Sequence, residues 1–278
     1  MPEIFQQKSN EEVLFLDDWR LMMPRLVVGF TTKKGGYSKG EFTGLNLGLH
    51  VHDDADDVRL NRQKLAEVLE FPIEKWVCSE QIHDNRIEKV TQNDCGKGVF
   101  HYDTAVAGAD GLYTNEANIL LALCFADCVP LYFFAPKHKL VGLAHAGWKG
   151  SVKNIAGEMI RLWVEEEKVR HADIYAAIGP SIGKCCYIVD DRVIDLVKKV
   201  VEDSAYKYNL YQETSKGQYA LDLKELNRQL LLKAGIPEQN ILVSGYCTSC
   251  ADELFFSHRR DKGKTGRMMS FIGRKEDE

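Results

Sequence analysis

Eight stretches of the chain are apolar over the length of a β-strand: 26–32 (LVVGFTT), 75–83 (KWVCSEQIH), 118–127 (NILLALCFAD), 130–136 (PLYFFAP), 140–146 (LVGLAHA), 173–180 (DIYAAIGP), 240–247 (NILVSGYC) and 268–273 (MMSFIG). Several leave no polar face, which is the pattern of strands buried on both sides. Between them, apolar positions recur at helical spacing. Over 56–71, Val58, Leu65, Val68 and Leu69 share one face behind aspartates suited to an N-cap. Over 151–167 the stripe is Ile155, Met159, Leu162 and Trp163, read as core. Helical patterns over 190–203 and 221–237 follow, the latter stopped by Gly235 and Pro237. Strands and helices mix without strict βαβ alternation, and no repeat or linker divides them. The pattern predicts one α/β domain of α+β type over residues 1–278, with layered mixed β-sheets flanked by helices rather than a doubly wound sheet.

Composition narrows the function classes. A chain of 278 residues with net charge −5 and a pI near 5.9 carries no electrostatic footprint for nucleic acid. The apolar runs are too short for a bilayer and are broken by Asp127 and Pro130. The first residues, MPEIFQQKSNEEV, lack a basic segment followed by an apolar one, so the protein reads as cytoplasmic and without membrane partners; its acidic surface is compatible with a monomer or weak homodimer alike. In that setting the eight cysteines suggest metal binding, catalysis or plain burial before disulfides. Cys247 and Cys250 have the spacing of a zinc knuckle or redox pair, but a knuckle needs a second pair. The adjacent Cys185 and Cys186 are wrongly spaced for one, so these thiols read as small core hydrophobes.

Three residues stand apart chemically. Cys128 lies where an apolar run breaks at Pro130, His145 ends the next run, and His83 ends 75–83. Side chains at the ends of neighbouring strands can converge, and Cys with two His suits zinc with one open position. The same Cys and His also make a metal-free nucleophile and base, with Asp127 beside Cys128 to orient the base; spacing does not separate the two, because both need a thiolate. For an anion, the glycine-dense 31–40 segment offers Lys33, Lys34, Gly35 and Gly36. The basic segment 255–267 offers His258, Arg259, Arg260 and Arg267, and the amides of GWKGS open the following helix.

The ordered motifs TTKKGGYS, LNLGLHVHDD with NRQKL, EQIH, ADCVPL, AHAGWKG, GPSIGKCCY and FFSHRRD…TGR span almost the whole chain. Together they resemble the bacterial purine nucleoside phosphorylase family formerly called polyphenol oxidase or laccase-domain proteins (YfiH/YlmD-like). The resemblance implies a single CNF1/YfiH-like layered domain and a zinc held by His83, Cys128 and His145. It also implies phosphorolysis of adenosine, inosine, guanosine and methylthioadenosine, together with adenosine deamination. Asp127 and Cys128 become the catalytic candidates. Lys33, Gly35, Gly36, Asn46, Gln81, Arg259 and Arg260 become the candidates for phosphate and substrate. The chain departs from the family pattern at Lys33 (usually Arg), Ile188 after CCY (commonly Glu) and His258 (usually Tyr). Eight histidines with one HxH pair, His50–Val51–His52, are too few for a multicopper oxidase once two serve the zinc. Copper at the same three donors would give phenol oxidation as a side activity.

Overall fold

A computed structural model describes residues 3–202 and 209–276. Nine strands precede residue 147: β1 (Phe5–Gln7), β2 (Val13–Leu16), β3 (Leu26–Thr31), β4 (Trp76–Cys78), β5 (Ile87–Lys89), β6 (Gly111–Thr114), β7 (Ile119–Phe125), β8 (Val129–Ala135) and β9 (Leu140–Ala146). Six follow: β10 (Tyr175–Ile178), β11 (Ile188–Asp190), β12 (Tyr211–Ser215), β13 (Gln218–Leu221), β14 (Ile241–Val243) and β15 (Met268–Arg274). The helices are α1 (Asp17–Met22), α2 (Ala55–Leu69), α3 (Trp148–Val152), α4 (Ile155–Glu165), α5 (Asp191–Val200) and α6 (Leu223–Lys233). One six-stranded sheet runs β1-β2-β3-β15-β7-β4 and a second runs β14-β10-β8-β9-β6-β5; β11-β13-β12 form a small third sheet. Most pairings are antiparallel, but β4–β7, β5–β6 and β10–β14 are parallel. The sheets are therefore mixed, as the sequence pattern predicts.

The apolar runs lack a polar face because each large sheet is covered twice. Along β8, Tyr132 and Phe134 join the layer between the sheets, while Leu131 and Phe133 pack with the helical side. On β7, Leu121, Leu123 and Phe125 face the same inter-sheet layer, and Leu120 and Ala122 turn outward to Leu65 and Leu69 of α2. Val141 and Leu143 of β9 likewise point between the sheets. The period of two along a strand then aims His145 into that layer too, where its ring meets Phe125 with centroids 5.3 Å apart. The order is helix, sheet, sheet, helices.

Several expected boundaries shift. The 75–83 run shortens to β4, so His83 lies in a loop beyond the strand instead of at its end. The 151–167 pattern is two helices, broken at Asn154, which takes a left-handed φ of 59° and caps α4 by accepting from the Gly157 amide. The 190–203 pattern is α5 preceded by its cap, Asp190, which accepts from Val193; Asp203 lies outside the described residues. No helix among the described residues is long and apolar enough to cross a membrane.

Candidate metal centre

The chain passes from the first large sheet to the second at 126–128, between β7 and β8. Asp127 makes that passage with a φ of 84°, a backbone state that costs free energy in a non-glycine residue and persists only when held from outside. It is held. Its carboxylate accepts from Thr248 Oγ1 at 2.7 Å, Ser257 Oγ at 3.0 Å and the Arg259 amide at 2.7 Å, and its carbonyl accepts from the Ile182 amide at 2.9 Å. Cys128 follows directly. The register of β8 against β9 pairs Pro130 with His145, so Cys128 falls opposite Gly147. A Cβ at Gly147 would stand 3.0 Å from Cys128 Sγ and 3.1 Å from the His83 ring, so AHAGW requires its glycine for close approach.

His83 arrives by a different device. The buried Asp110 carboxylate accepts from the successive amides of Ile82, His83 and Asp84 at 2.7–3.1 Å. Successive N–H groups converge on one anion when the backbone alternates hand, and His83 has a φ of 62°. Asp110 Oδ1 also accepts from His145 Nδ1 at 2.8 Å, which directs the other ring nitrogen toward the thiol. Burial disfavours the Asp110 charge, but His145 and the loop amides outweigh it and lower the pKa below the usual carboxylate value. Gln81 completes the clamp by exchanging two 2.8 Å hydrogen bonds with the backbone of Cys124 at the end of β7.

The donor atoms of His83, Cys128 and His145 all lie within 4.8 Å of one another. Cys128 Sγ is 3.9 Å from His83 Nε2, and the two imidazoles meet edge to face with centroids 4.7 Å apart. A tetrahedral zinc with Zn–N near 2.0 Å and Zn–S near 2.3 Å would put N and S about 3.6 Å apart. The donors fit that geometry with small shifts. Among the described residues no fourth His, Cys, Asp or Glu joins this group, so one coordination position would stay open. Without metal, burial opposes the Cys128 charge, yet the charges and hydrogen bonds of His145 and His83 bring the thiol down to about 6. Burial likewise opposes charge on His145, but Cys128 and Asp110 raise it to about 9. Two other cavity thiols behave oppositely: burial pushes Cys78 up to about 11 and raises Cys124.

The three donors lie in the wall of a cavity of about 400 Å³, within the size range of small-molecule sites. Arg62, Arg259 and Arg267 bring positive charge to it, and Tyr102, Trp148, Ile182 and Tyr187 bring apolar surface. Arg259 stacks 4.9 Å from the Tyr187 ring centroid. His50 is held neutral, its pKa lowered to about 4 by burial and then by the charges of Arg267 and Arg62.

Of the residues singled out from sequence, Asp127, Gln81, His258, Arg259, Arg267 and the three donors line the cavity, whereas Lys33, Lys34, Gly35, Gly36, Asn46 and Arg260 do not. A Cβ on Gly36 would meet the Gly44 carbonyl at 2.1 Å, so that glycine serves backbone packing. Asn46 is fully buried and holds the Arg267 and Gly48 amides and Asp53. Arg260 is committed to Asp261 and to the carbonyls of Thr248, Ser249 and Phe255. The helix opened by GWKGS, α3, is only five residues long. Sequence reasoning missed Asp110, whose signal was a lone carboxylate in the otherwise uncharged AVAGADGLYT.

Fold and site together define a four-layer mixed α/β protein in which two histidines and one cysteine converge in a cavity wall as a group able to hold a metal ion. The family model described as multi-copper polyphenol oxidoreductase laccase matches residues 27–275, and the chain belongs to that family. It is 56% identical over its full length to a Geobacillus stearothermophilus protein named purine nucleoside phosphorylase YlmD, of which 99% is covered. It is 53% identical to the Bacillus subtilis protein of the same name, with 96% of each chain covered. The crystal structure of the G. stearothermophilus YlmD superposes with a TM-score of 0.94 over 99% of this chain and 100% of that one. A Bacillus licheniformis structure titled hypothetical protein YfiH, 50% identical, superposes at 0.93 over 97% and 98%.

Proposed function

We propose that the chain is a zinc-dependent purine nucleoside phosphorylase that also deaminates adenosine. It would take adenosine, inosine, guanosine and methylthioadenosine to free base and the (methylthio)ribose 1-phosphate. The observation that carries this reading is the open three-donor group His83, Cys128 and His145 in the wall of a cavity flanked by Arg259 and Arg267. The relatives' shared name, purine nucleoside phosphorylase, supports it. Bound there, zinc supplies a Lewis acid at one open position. Asp110 fixes the orientation of the His145 imidazole and the backbone position of His83. Asp127 holds the loop carrying Thr248, Ser257 and Arg259, which aligns Arg259 with the cavity. Arg259 and Arg267 are the cations for phosphate in this reading. The neutral His50 and the rings of Tyr187 and Trp148 suit a purine edge and face. During phosphorolysis the phosphate oxygen bonds to C1′ as the C1′–N9 bond breaks. The continuity of the site, from His50 to Arg267, favours one domain over residues 1–278.

The test is chromatography of zinc-loaded protein with adenosine, with and without phosphate, beside Cys128→Ala. Adenine formed only with phosphate, and lost in the variant, is expected; inosine formed without phosphate reports deamination. No conversion under either condition would sink the reading. The thiolate–imidazolium pair of Cys128 and His145 favours a second reading, a metal-free thiol hydrolase. That alternative predicts activity that survives chelation and dies on alkylation. Copper loading followed by a phenol assay addresses the oxidase side reaction.

A further inference from the structure

Four cysteines converge where the loops that bond to Asp127 through Ile182 and Thr248 meet. Cys185 and Cys186 sit between Ile182 and Tyr187, and Cys247 and Cys250 sit past β14; their sulfurs all lie within 4.8 Å of one another. Cys250 Sγ is 3.5 Å from Cys185 Sγ and 3.4 Å from Cys186 Sγ. Sequence spacing had argued against a partner pair for Cys247 and Cys250. Spacing was misleading because a parallel bridge between Ser181 and Cys247, with the Thr248 amide donating to the Ser181 carbonyl at 3.1 Å, lays the two loops side by side.

We propose that Cys185, Cys186, Cys247 and Cys250 hold a second metal, a single tetrahedral zinc that is structural. Zinc–sulfur bonds near 2.3 Å put the sulfurs of a tetrahedron about 3.8 Å apart, so the observed separations need only small adjustments. A disulfide would need one pair at about 2.05 Å, and none of the eight cysteines is so bonded. An iron–sulfur cluster spreads its thiolates over separate irons, wider than this quartet.

Two features of the surroundings point the same way. The Gly183 amide donates to Cys247 Sγ at 3.1 Å, the kind of bond that stabilises a thiolate. Four thiolates around Zn²⁺ carry net negative charge, and the largely buried Lys224 ammonium lies close enough for Cys247 and Cys185 to act on it. Lys224 is fixed there by the carbonyls of Ser244 and Tyr246 at 2.9 and 2.8 Å. The four ligands leave no open position, so this metal has no direct part in chemistry. Its work is mechanical. It ties the loop bearing Ile182 and Tyr187, both in the cavity wall, to the loop whose Thr248 holds Asp127.

Metal content of Cys128→Ala, purified under reducing conditions and dialysed against zinc, tests this without reference to activity. The variant is expected to retain one zinc per chain where the wild type binds two. Cobalt substitution of the same variant is expected to show the intense sulfur-to-cobalt charge transfer of a four-thiolate site. Adding Cys250→Ser should abolish both signals, and if that variant does not fold, the Cys128→Ala spectrum alone decides. Three outcomes overturn the proposal: a metal-free Cys128→Ala chain with four freely alkylated thiols, a Cys247–Cys250 disulfide in the mass spectrum, or iron in place of zinc.

Discussion

Asp110 accepts one bond from the His145 ring and three from the amides of 82–84, so a single carboxylate orients one imidazole and fixes the backbone that carries the other. Asp110→Asn keeps the shape but turns an NH₂ toward groups that are all donors. It is expected to weaken zinc binding about 10–100-fold, measured by competition with a chromophoric chelator; unchanged affinity would remove Asp110 from its orienting role. The Cys128 pKa yields a second residue-scale prediction. Because the folded value is depressed to about 6, the metal-stripped protein should alkylate at Cys128 at a rate that is level near neutrality and falls only as pH drops through about 6. An ordinary thiol would show its midpoint near 8.5, and that result would deny the pairing with His145. Bound zinc should protect the thiol throughout. Cys128 and His145 were legible in sequence because each follows an apolar run that ends abruptly. Asp110 was not, since nothing local says that its partners are an imidazole 35 positions away and the amides of another loop.

At the scale of elements, each predicted strand stretch contains a strand. A run apolar on both faces has few other uses, and the two covers on each large sheet account for it. The short β1, β2, β5, β6, β11, β12 and β13 lie outside those stretches because three to five residues give too short a pattern, and YQETS, largely exposed in β12, has no buried face to betray it. The break inside 151–167 escaped because its agent, Asn154, reads as one polar residue on a helix. Asn154→Ala would lose the cap to Gly157 and place a Cβ-bearing residue without local hydrogen bonding in the left-handed region. The expected cost is about 2 kcal/mol, read from urea unfolding. Asn154→Gly should cost less than half of that, and equal costs would mean that the backbone state contributes nothing. The cysteine quartet was illegible for a related reason: sequence spacing is no guide to loops joined by a bridge between Ser181 and Cys247.

For the whole molecule, the layer between the large sheets is apolar apart from a few fixed groups. Tyr132 on β8 of the second sheet donates its hydroxyl to the carbonyl of Gly29 on β3 of the first, at 2.8 Å and fully buried. Tyr132→Phe should lower stability by about 1–2 kcal/mol, with circular dichroism and tryptophan fluorescence still reporting one transition. Two separated transitions would show that the sheets unfold independently and that this bond does not couple them.

β15 lies between β3 and β7, in the middle of the first sheet. A ribosome therefore delivers His83, Cys128 and His145 long before the strand that completes the sheet behind them. For roughly ten seconds at ordinary elongation rates, the Cys128 thiol waits on a half-built scaffold, open to whichever soft ion reaches it first. Copper outcompetes zinc for such donors wherever both are free, so a metal taken up by these residues would follow the ion supply during synthesis. Protein expressed in copper-rich and zinc-rich media should differ in metal content although its sequence and fold are the same.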